Sequence, residues 1–360
     1  MIAFGPVPSR RLGRSLGINN IPPKICTYAC VYCQLGRTIK MQMERQPFYE
    51  PEEILRDVRE KVEKAKEARE PIDYLTFVPD GEPTLDINLG REIELLRSLG
   101  ITGLWTLPIT FPQAKKNSLE GHSGDSQLVS SHLKAFGKSK VQGIKIAVIT
   151  NSSLMWREDV REALMKADWV SLKMDSVQEE TWRKVNRPYG TLRLDSILDG
   201  ALQFASKFKG ELATETMLVR GVNDGDDHIK DLAGFLARLE PAVAYLAIPT
   251  RPPAERWVQS PAEEVINRAY QIFSGTVDRV EYLVGYEGNA FAFTGDVEED
   301  LLSITAVHPM REDAVDEFLA RAGADWTAVY QLVAQDRLVE AEYEGHRFYL
   351  RRLGGHKDRG

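Results

Sequence analysis

Three cysteines stand within eight residues, Cys26-Thr-Tyr-Ala-Cys30-Val-Tyr-Cys33, and the 360-residue chain has no others. Thiolates at a C-x3-C-x2-C spacing can hold three corners of an iron–sulfur cube, which leaves the fourth iron without a cysteine. An iron with an open position can bind substrate, by the logic that separates catalytic from closed metal sites. Two other readings compete. A structural zinc site would need a fourth ligand, and no His lies near this motif in sequence. Unligated buried thiols would be an odd cluster in so Cys-poor a chain. Cysteines this close cannot frame a disulfide scaffold, so the setting reads as reducing and cytoplasmic.

The elements around the motif alternate. A short strand is expected near 15–19, and further strands at 72–78, 144–150, 169–173, 212–219 and 243–248. Helices are expected between and after them, at 50–69, 87–99, 157–166, 192–208, 228–239 and 262–273. In the first helix Ile54, Val58, Val62 and Ala65 share one face, and Pro51 opens it. About six such β/α units predict a parallel sheet covered by helices, either a barrel or an open doubly wound sheet. No glycine-rich dinucleotide fingerprint follows the first strand, which disfavours a Rossmann arrangement. The stretch 102–143, rich in Ser, Gly and Lys, interrupts the rhythm and reads as a mobile insertion. After about residue 300, helices at 313–322 and 325–335 precede a hairpin of 338–343 and 346–351 with its turn at Glu344-Gly345. Two helices and a hairpin predict a small winged-helix-like domain, 301–360, behind a main domain, 1–300.

The chain carries 46 Lys and Arg against 53 Asp and Glu, a net charge of -7, with 43% hydrophobic residues. That balance excludes wholesale disorder and argues against a general nucleic-acid binder. No apolar run approaches the length of a membrane helix, so no membrane partner is expected.

The cysteine spacing, with Tyr32 just before the last cysteine, resembles the radical S-adenosylmethionine superfamily. The lead GPVPSRRLGRSLGINN and the following CQLGRT look like a subgroup of iron–sulfur oxidoreductases similar to the radical enzymes that build the wyosine base of tRNA. The resemblance implies an α/β fold, a partial (β/α)6 barrel with the cluster motif in the loop after its first strand. It implies a [4Fe-4S] cluster on Cys26, Cys30 and Cys33, and S-adenosylmethionine chelated at the fourth iron. One electron would then break the C–S bond, giving a 5′-deoxyadenosyl radical that abstracts hydrogen from a substrate. A ferredoxin or flavodoxin would supply the electron. An RNA base is the substrate the resemblance suggests, with peptide or protein modification as the alternative, and electron transfer without S-adenosylmethionine turnover as a third reading. The chain departs from the wyosine enzymes in one respect: their second cluster uses further upstream cysteines, and this chain has none.

Working residues of a β/α barrel sit at the C-terminal ends of its strands. Pro79-Asp80-Gly81-Glu82-Pro83-Thr84, after the second strand, resembles the superfamily's glycine-glycine-glutamate motif, with Asp80 in place of the first glycine. Gly81 and Glu82 would hold the methionine amino group. Thr150, Asn151 and Ser152 would meet the methionine carboxylate or the ribose, or cap the next helix. Lys173 and Asp175, beside Ser171, would pair with each other or meet the cofactor carboxylate. Asn186-Arg187-Pro188 would line the mouth. Glu215, between Thr214 and Thr216 in an apolar strand, needs a partner or a place in the lumen. Arg251 is an expected anion contact, and Tyr32 is expected near adenine. Ser9, Arg10, Arg11 and Arg14 form a basic run suited to a phosphorylated or nucleic-acid substrate. No His receives a role.

Overall fold

A computed structural model describes residues 2–99, 143–283 and 291–352. The insertion expected at 102–143 lies outside the described residues, except Gly143.

The chain opens with an antiparallel hairpin, β1 (Ala3–Ser9) and β2 (Gly13–Ile18). Two short parallel strands, β3 (Ile25–Cys26) and β4 (Lys40–Met41), bracket the cysteine loop. Then come α1 (Pro51–Glu67), β5 (Tyr74–Phe77), α2 (Leu89–Ser98), β6 (Lys145–Thr150), α3 (Glu158–Leu164) and β7 (Trp169–Lys173). Next are α4 (Glu179–Asn186), α5 (Leu194–Ala205), β8 (Glu211–Met217), α6 (Asp226–Leu239), β9 (Val243–Ala247), α7 (Glu263–Ser274) and β10 (Val280–Leu283).

The main sheet has the order β1-β2-β5-β6-β7-β8-β9-β10, and every pair after β1-β2 is parallel. The six expected strands are all present. The sheet adds β1 at one edge and β10 at the other, so it curls into an eight-stranded half-barrel.

Strand periodicity sorts the side chains onto two faces. Leu75, Phe77, Ile146, Val148, Val170, Leu172, Leu212, Ala244 and Leu246 pack outward under the helices. Ala147, Trp169, Ala213, Val243, Tyr245, Ala247 and Leu283 face inward with Leu12 from the hairpin tip. Both faces are therefore apolar near the middle of the sheet, which is why the strands read as continuous apolar runs rather than alternations. In α1 the buried residues Ile54, Val58, Lys61 and Ala65 form one stripe, and the acids of its first turn, Glu52 and Glu53, oppose the helix dipole.

The remaining elements are α8 (Val297–Val307), β11 (Met310–Arg311), α9 (Glu312–Ala322), α10 (Thr327–Ala334), β12 (Leu338–Tyr343) and β13 (His346–Arg351). Their sheet runs β11-β13-β12, antiparallel throughout. Glu344 and Gly345, at φ 49° and 74°, make the turn between β12 and β13. A second apolar cluster joins Phe291, Leu301, Leu302, Phe318, Leu332 and Tyr349, with Val7 of β1 packed against it. This part is also tied to the barrel by charge: buried Lys61 of α1 reaches Asp300 at 3.4 Å.

Candidate active site

The cysteine loop leaves β3 above the C-terminal ends of the parallel strands. It is stitched down by backbone bonds. Lys24 N donates to Asp80 O at 2.6 Å, Glu82 N to Ile25 O at 3.2 Å, and Val31 N to Val185 O at 3.0 Å. Gly81 is obligatory here, because a Cβ at this position would lie 2.0 Å from Ile25 O. The glycine is thus required for close approach of two backbones, whatever else it binds.

Glu82 is fully buried. Its carboxylate accepts from Thr84 N at 3.1 Å, Thr84 Oγ1 at 2.5 Å, Thr150 Oγ1 at 2.6 Å and Asn151 N at 2.7 Å. It clamps the loop after β5 to the end of β6. Burial pushes this carboxyl above its ordinary value, while these hydrogen bonds pull it back. Asn151 is locked in turn. Its Oδ1 accepts from Ser153 N at 2.9 Å, and its Nδ2 donates to Thr27 Oγ1 at 2.8 Å and lies 3.4 Å from Cys26 Sγ. Ser152 is buried at φ 69°, with its Oγ lacking a partner among the described residues.

Across the loop, Asp175 is a second anchor. It accepts from Tyr32 OH, from Asn186 Nδ2 at 2.7 Å and from Met217 N at 2.8 Å. Its backbone oxygen takes Asn223 Nδ2 at 3.0 Å and sits 3.1 Å from His228 Nε2. Asn186 Nδ2 also lies 3.5 Å from Cys30 Sγ.

Between these anchors is a cavity of about 320 Å³. Cys26, Cys30 and Cys33 line it with Tyr32, Gly81, Thr150, Asn151, Lys173, Glu215 and Arg251. Glu82, Ser152 and Asp175 do not; they stand behind it. Glu215 is shared by two cations, Lys173 Nζ at 2.5 Å and the Arg11 guanidinium, so the strand carboxylate has the partners its burial demands. Lys173 also sits 5.0 Å above the Tyr32 ring. Burial pulls its ammonium below the ordinary value, with Arg11 pushing the same way and Asp175 opposing.

The basic run divides. Ser9, Arg10 and Arg11 line the cavity, whereas Arg14 turns away to Glu70. Thr214 and Thr216 share the outward parity of Leu212, and Thr216 Oγ1 donates to Met174 O at 2.8 Å. Asn223 is buried as a brace of the β8 end. Arg187 pairs with Glu255 at 2.7 Å.

Two histidines, given no role from the sequence, have partners near the site. His228 abuts Asp175, and His308, after α8, lines the cavity with Nε2 2.7 Å from Arg251. Arg251 also donates to Gln34 Oε1 at 2.7 Å. No sequence signal marks His308, because the contact joins residues 57 apart through tertiary packing alone. Ser15 and Thr76, bonded at 2.6 Å within the lumen, were also missed.

The donor set suits a cluster. Burial raises the Cys26 thiol, with Cys30 and Glu82 adding to it, and pushes Cys30 up to about 12, with Asp175 and Cys33 adding to it. Thiols this close, half-buried at the cavity wall, need a cation to hold them together as thiolates. Among the described residues no trio of Cys, His, Asp or Glu gathers around a single metal point. The corners of a cube need no such convergence. Carboxamide N–H groups near Cys26 and Cys30 complete an environment for sulfur anions.

A half-barrel of parallel strands with three thiols over its C-terminal mouth is the frame of an iron–sulfur barrel enzyme. The family profile described as "Radical SAM superfamily" matches residues 20–233. The chain belongs to the radical SAM superfamily, whose enzymes use a [4Fe-4S] cluster and S-adenosylmethionine. A UPF0026 protein of Methanocaldococcus jannaschii is 43% identical over 354 residues, 98% of this chain and 96% of that one. A UPF0026 protein of Helicobacter pylori is 30% identical over 256 residues, 70% of this chain and 67% of that one. Among solved structures, TYW1 with a lysine-pyruvate adduct bound aligns at 16% identity and a TM-score of 0.48, covering 73% of this chain and 74% of that one.

Proposed function

We propose that the protein reductively cleaves S-adenosylmethionine and uses the resulting radical on a substrate bound in the same cavity, with an RNA base as the leading substrate class. The observation that carries this reading is the meeting of three cysteines, Gly81, Lys173 and Arg251 around one cavity at the strand ends. When bound, the cluster and S-adenosylmethionine together supply homolysis of the C–S bond and a 5′-deoxyadenosyl radical that takes a hydrogen atom.

The chain's own residues bind and orient. Cys26, Cys30 and Cys33 each hold one iron. The Gly81 backbone meets the methionine amino group, with Glu82 fixing the loop from beneath. Thr150 and Asn151 serve the methionine carboxylate or ribose, and Lys173 supplies a countercharge. Asp175 holds Tyr32 in place beside the adenine. The buried wall of Leu12, Trp169 and Tyr245 keeps water from the floor of the lumen. Arg10 and Arg251 also line the cavity, and beside the Arg11–Glu215 pair they give it a positive character suited to phosphate or another anion. A one-electron donor of ferredoxin or flavodoxin type would supply the electron.

The test is formation of 5′-deoxyadenosine by anaerobically reconstituted, reduced protein, with Cys30→Ala as control. Product from wild type alone supports the reading. A wild-type four-iron cluster whose electron paramagnetic resonance spectrum ignores S-adenosylmethionine would sink it in favour of simple electron transfer. RNA that co-purifies and is released by moderate salt would favour the nucleic-acid substrate over a peptide.

A further inference from the structure

Two of the three cysteine sulfurs have a carboxamide nitrogen beside them, held by different parts of the barrel. Asn151 Nδ2, at the end of β6, lies 3.4 Å from Cys26 Sγ. Asn186 Nδ2, at the end of α4, lies 3.5 Å from Cys30 Sγ. These are ordinary distances for N–H···S contacts. The orientation of each amide is fixed by its other partners. Asn151 Oδ1 accepts from Ser153 N at 2.9 Å, so its nitrogen must face the sulfur. Asn186 Nδ2 donates to the Asp175 carboxylate at 2.7 Å, which a flipped amide could not do. Each NH₂ has two hydrogens. One hydrogen of Asn151 goes to Thr27 Oγ1 and the other is left for Cys26; one of Asn186 goes to Asp175, and the other is shared between Tyr32 OH at 3.4 Å and Cys30 Sγ at 3.5 Å.

We infer that Asn151 and Asn186 are positioning residues that tune the reduction potential of the cluster by donating hydrogen bonds to Cys26 and Cys30. The inference rests on the cluster reading above. A donor at a thiolate stabilises negative charge, and the reduced cluster carries one more negative charge than the oxidised one. Both contacts therefore favour reduction and make the cluster easier for its donor to charge. Their anchors explain why they sit on rigid ends. Glu82 pins the Asn151 backbone, and Asp175 pins both Asn186 and Tyr32.

The experiment is a potentiometric titration of the reconstituted holoenzyme, followed by the paramagnetic signal of the reduced cluster. Asn151→Leu and Asn186→Leu keep the approximate volume and remove the donor without adding a charge. Each should lower the reduced-to-oxidised ratio at a fixed poise by about three- to tenfold. Midpoints equal to wild type in variants that retain full iron and sulfide would overturn the inference. A variant that fails to hold its cluster is replaced by wild type labelled with ¹⁵N in asparagine side chains. Pulsed resonance should then detect nitrogen coupled to the reduced cluster, and its absence would equally overturn the inference. Wild type lacking iron and sulfide would instead sink the cluster reading itself, so the two failures are distinct.

Discussion

Replacing Gly81 by alanine should uncouple the cysteine loop from the barrel. The added carbon would sit 2.0 Å from Ile25 O and 2.9 Å from Ile21 Cδ1, where ordinary contact begins at 3.4 Å. The side chain of Ile21 can yield, but the Ile25 carbonyl belongs to the backbone that delivers Cys26. One of the two segments must retreat by about 1.4 Å. That displacement breaks the Glu82 N to Ile25 O bond and strains the Lys24 N to Asp80 O bond. Two backbone hydrogen bonds at about 1 kcal/mol each, plus the cost of overpacking, put the loss at roughly 2 to 4 kcal/mol. It falls on the segment that carries Cys26, the first of the proposed cluster ligands. The assay is iron and sulfide content after anaerobic reconstitution, together with a thermal melt. Gly190→Ala is the control, because no atom lies within 4 Å of the carbon it would add. Gly81→Ala should hold well under half the iron of the control and melt several degrees lower. Equal iron content and equal melting would refute the close-packing argument and return Gly81 to a purely ligand-binding role.

Asp80 is buried with Oδ1 lacking a hydrogen-bond partner among the described residues, and burial, partly offset by Lys24, raises its carboxyl from 3.8 to about 7. The folded state therefore prefers the protonated acid, and its contribution fades as pH rises from about 4 to about 7. Asp80→Asn should flatten that part of the stability–pH curve in thermal melts, and a variant with the same slope as wild type would contradict the assignment. Lys61→Met should cost about 3 kcal/mol in chemical denaturation, because it leaves the buried Asp300 carboxylate without its cation. Asp175→Asn presents an amide where one carboxylate accepts from Tyr32, Asn186 and Met217, so at least one donor is lost. It should speed chelator-driven bleaching of the cluster several-fold, and an unchanged rate would count against Asp175 as the anchor of the loop.

The parallel strands could be read from the sequence because they are buried on both faces, so 144–150 and 169–173 stand out as apolar runs close to β6 and β7. Amphipathic α1 and the hairpin turn at Glu344-Gly345 were equally readable from period and turn chemistry. What escaped was short or atypical. β1 carries Gly5, Pro6 and Pro8, residues that disguise a strand, and β10 has four residues. At the site, residue type and position after a strand pointed to the right region but could not separate cavity wall from support. Glu82 and Lys173 looked alike in sequence, yet one lies under the loop satisfied by four donors and the other faces the cavity. Asn186 and Tyr32 are 154 residues apart, and only the curl of the sheet brings them to the same carboxylate.

The packing of Val7 against the second apolar cluster, and the reach of His308 into the cavity, set an order of assembly. β1 and the cysteine loop leave the ribosome early, but the wall they face is made nearly three hundred residues later. A chain that has completed β9 already holds all three cysteines and most of the strand ends, but not the His308 side of the cavity. The cavity wall around the cysteines is therefore complete only once the segment carrying His308 has been made and packed.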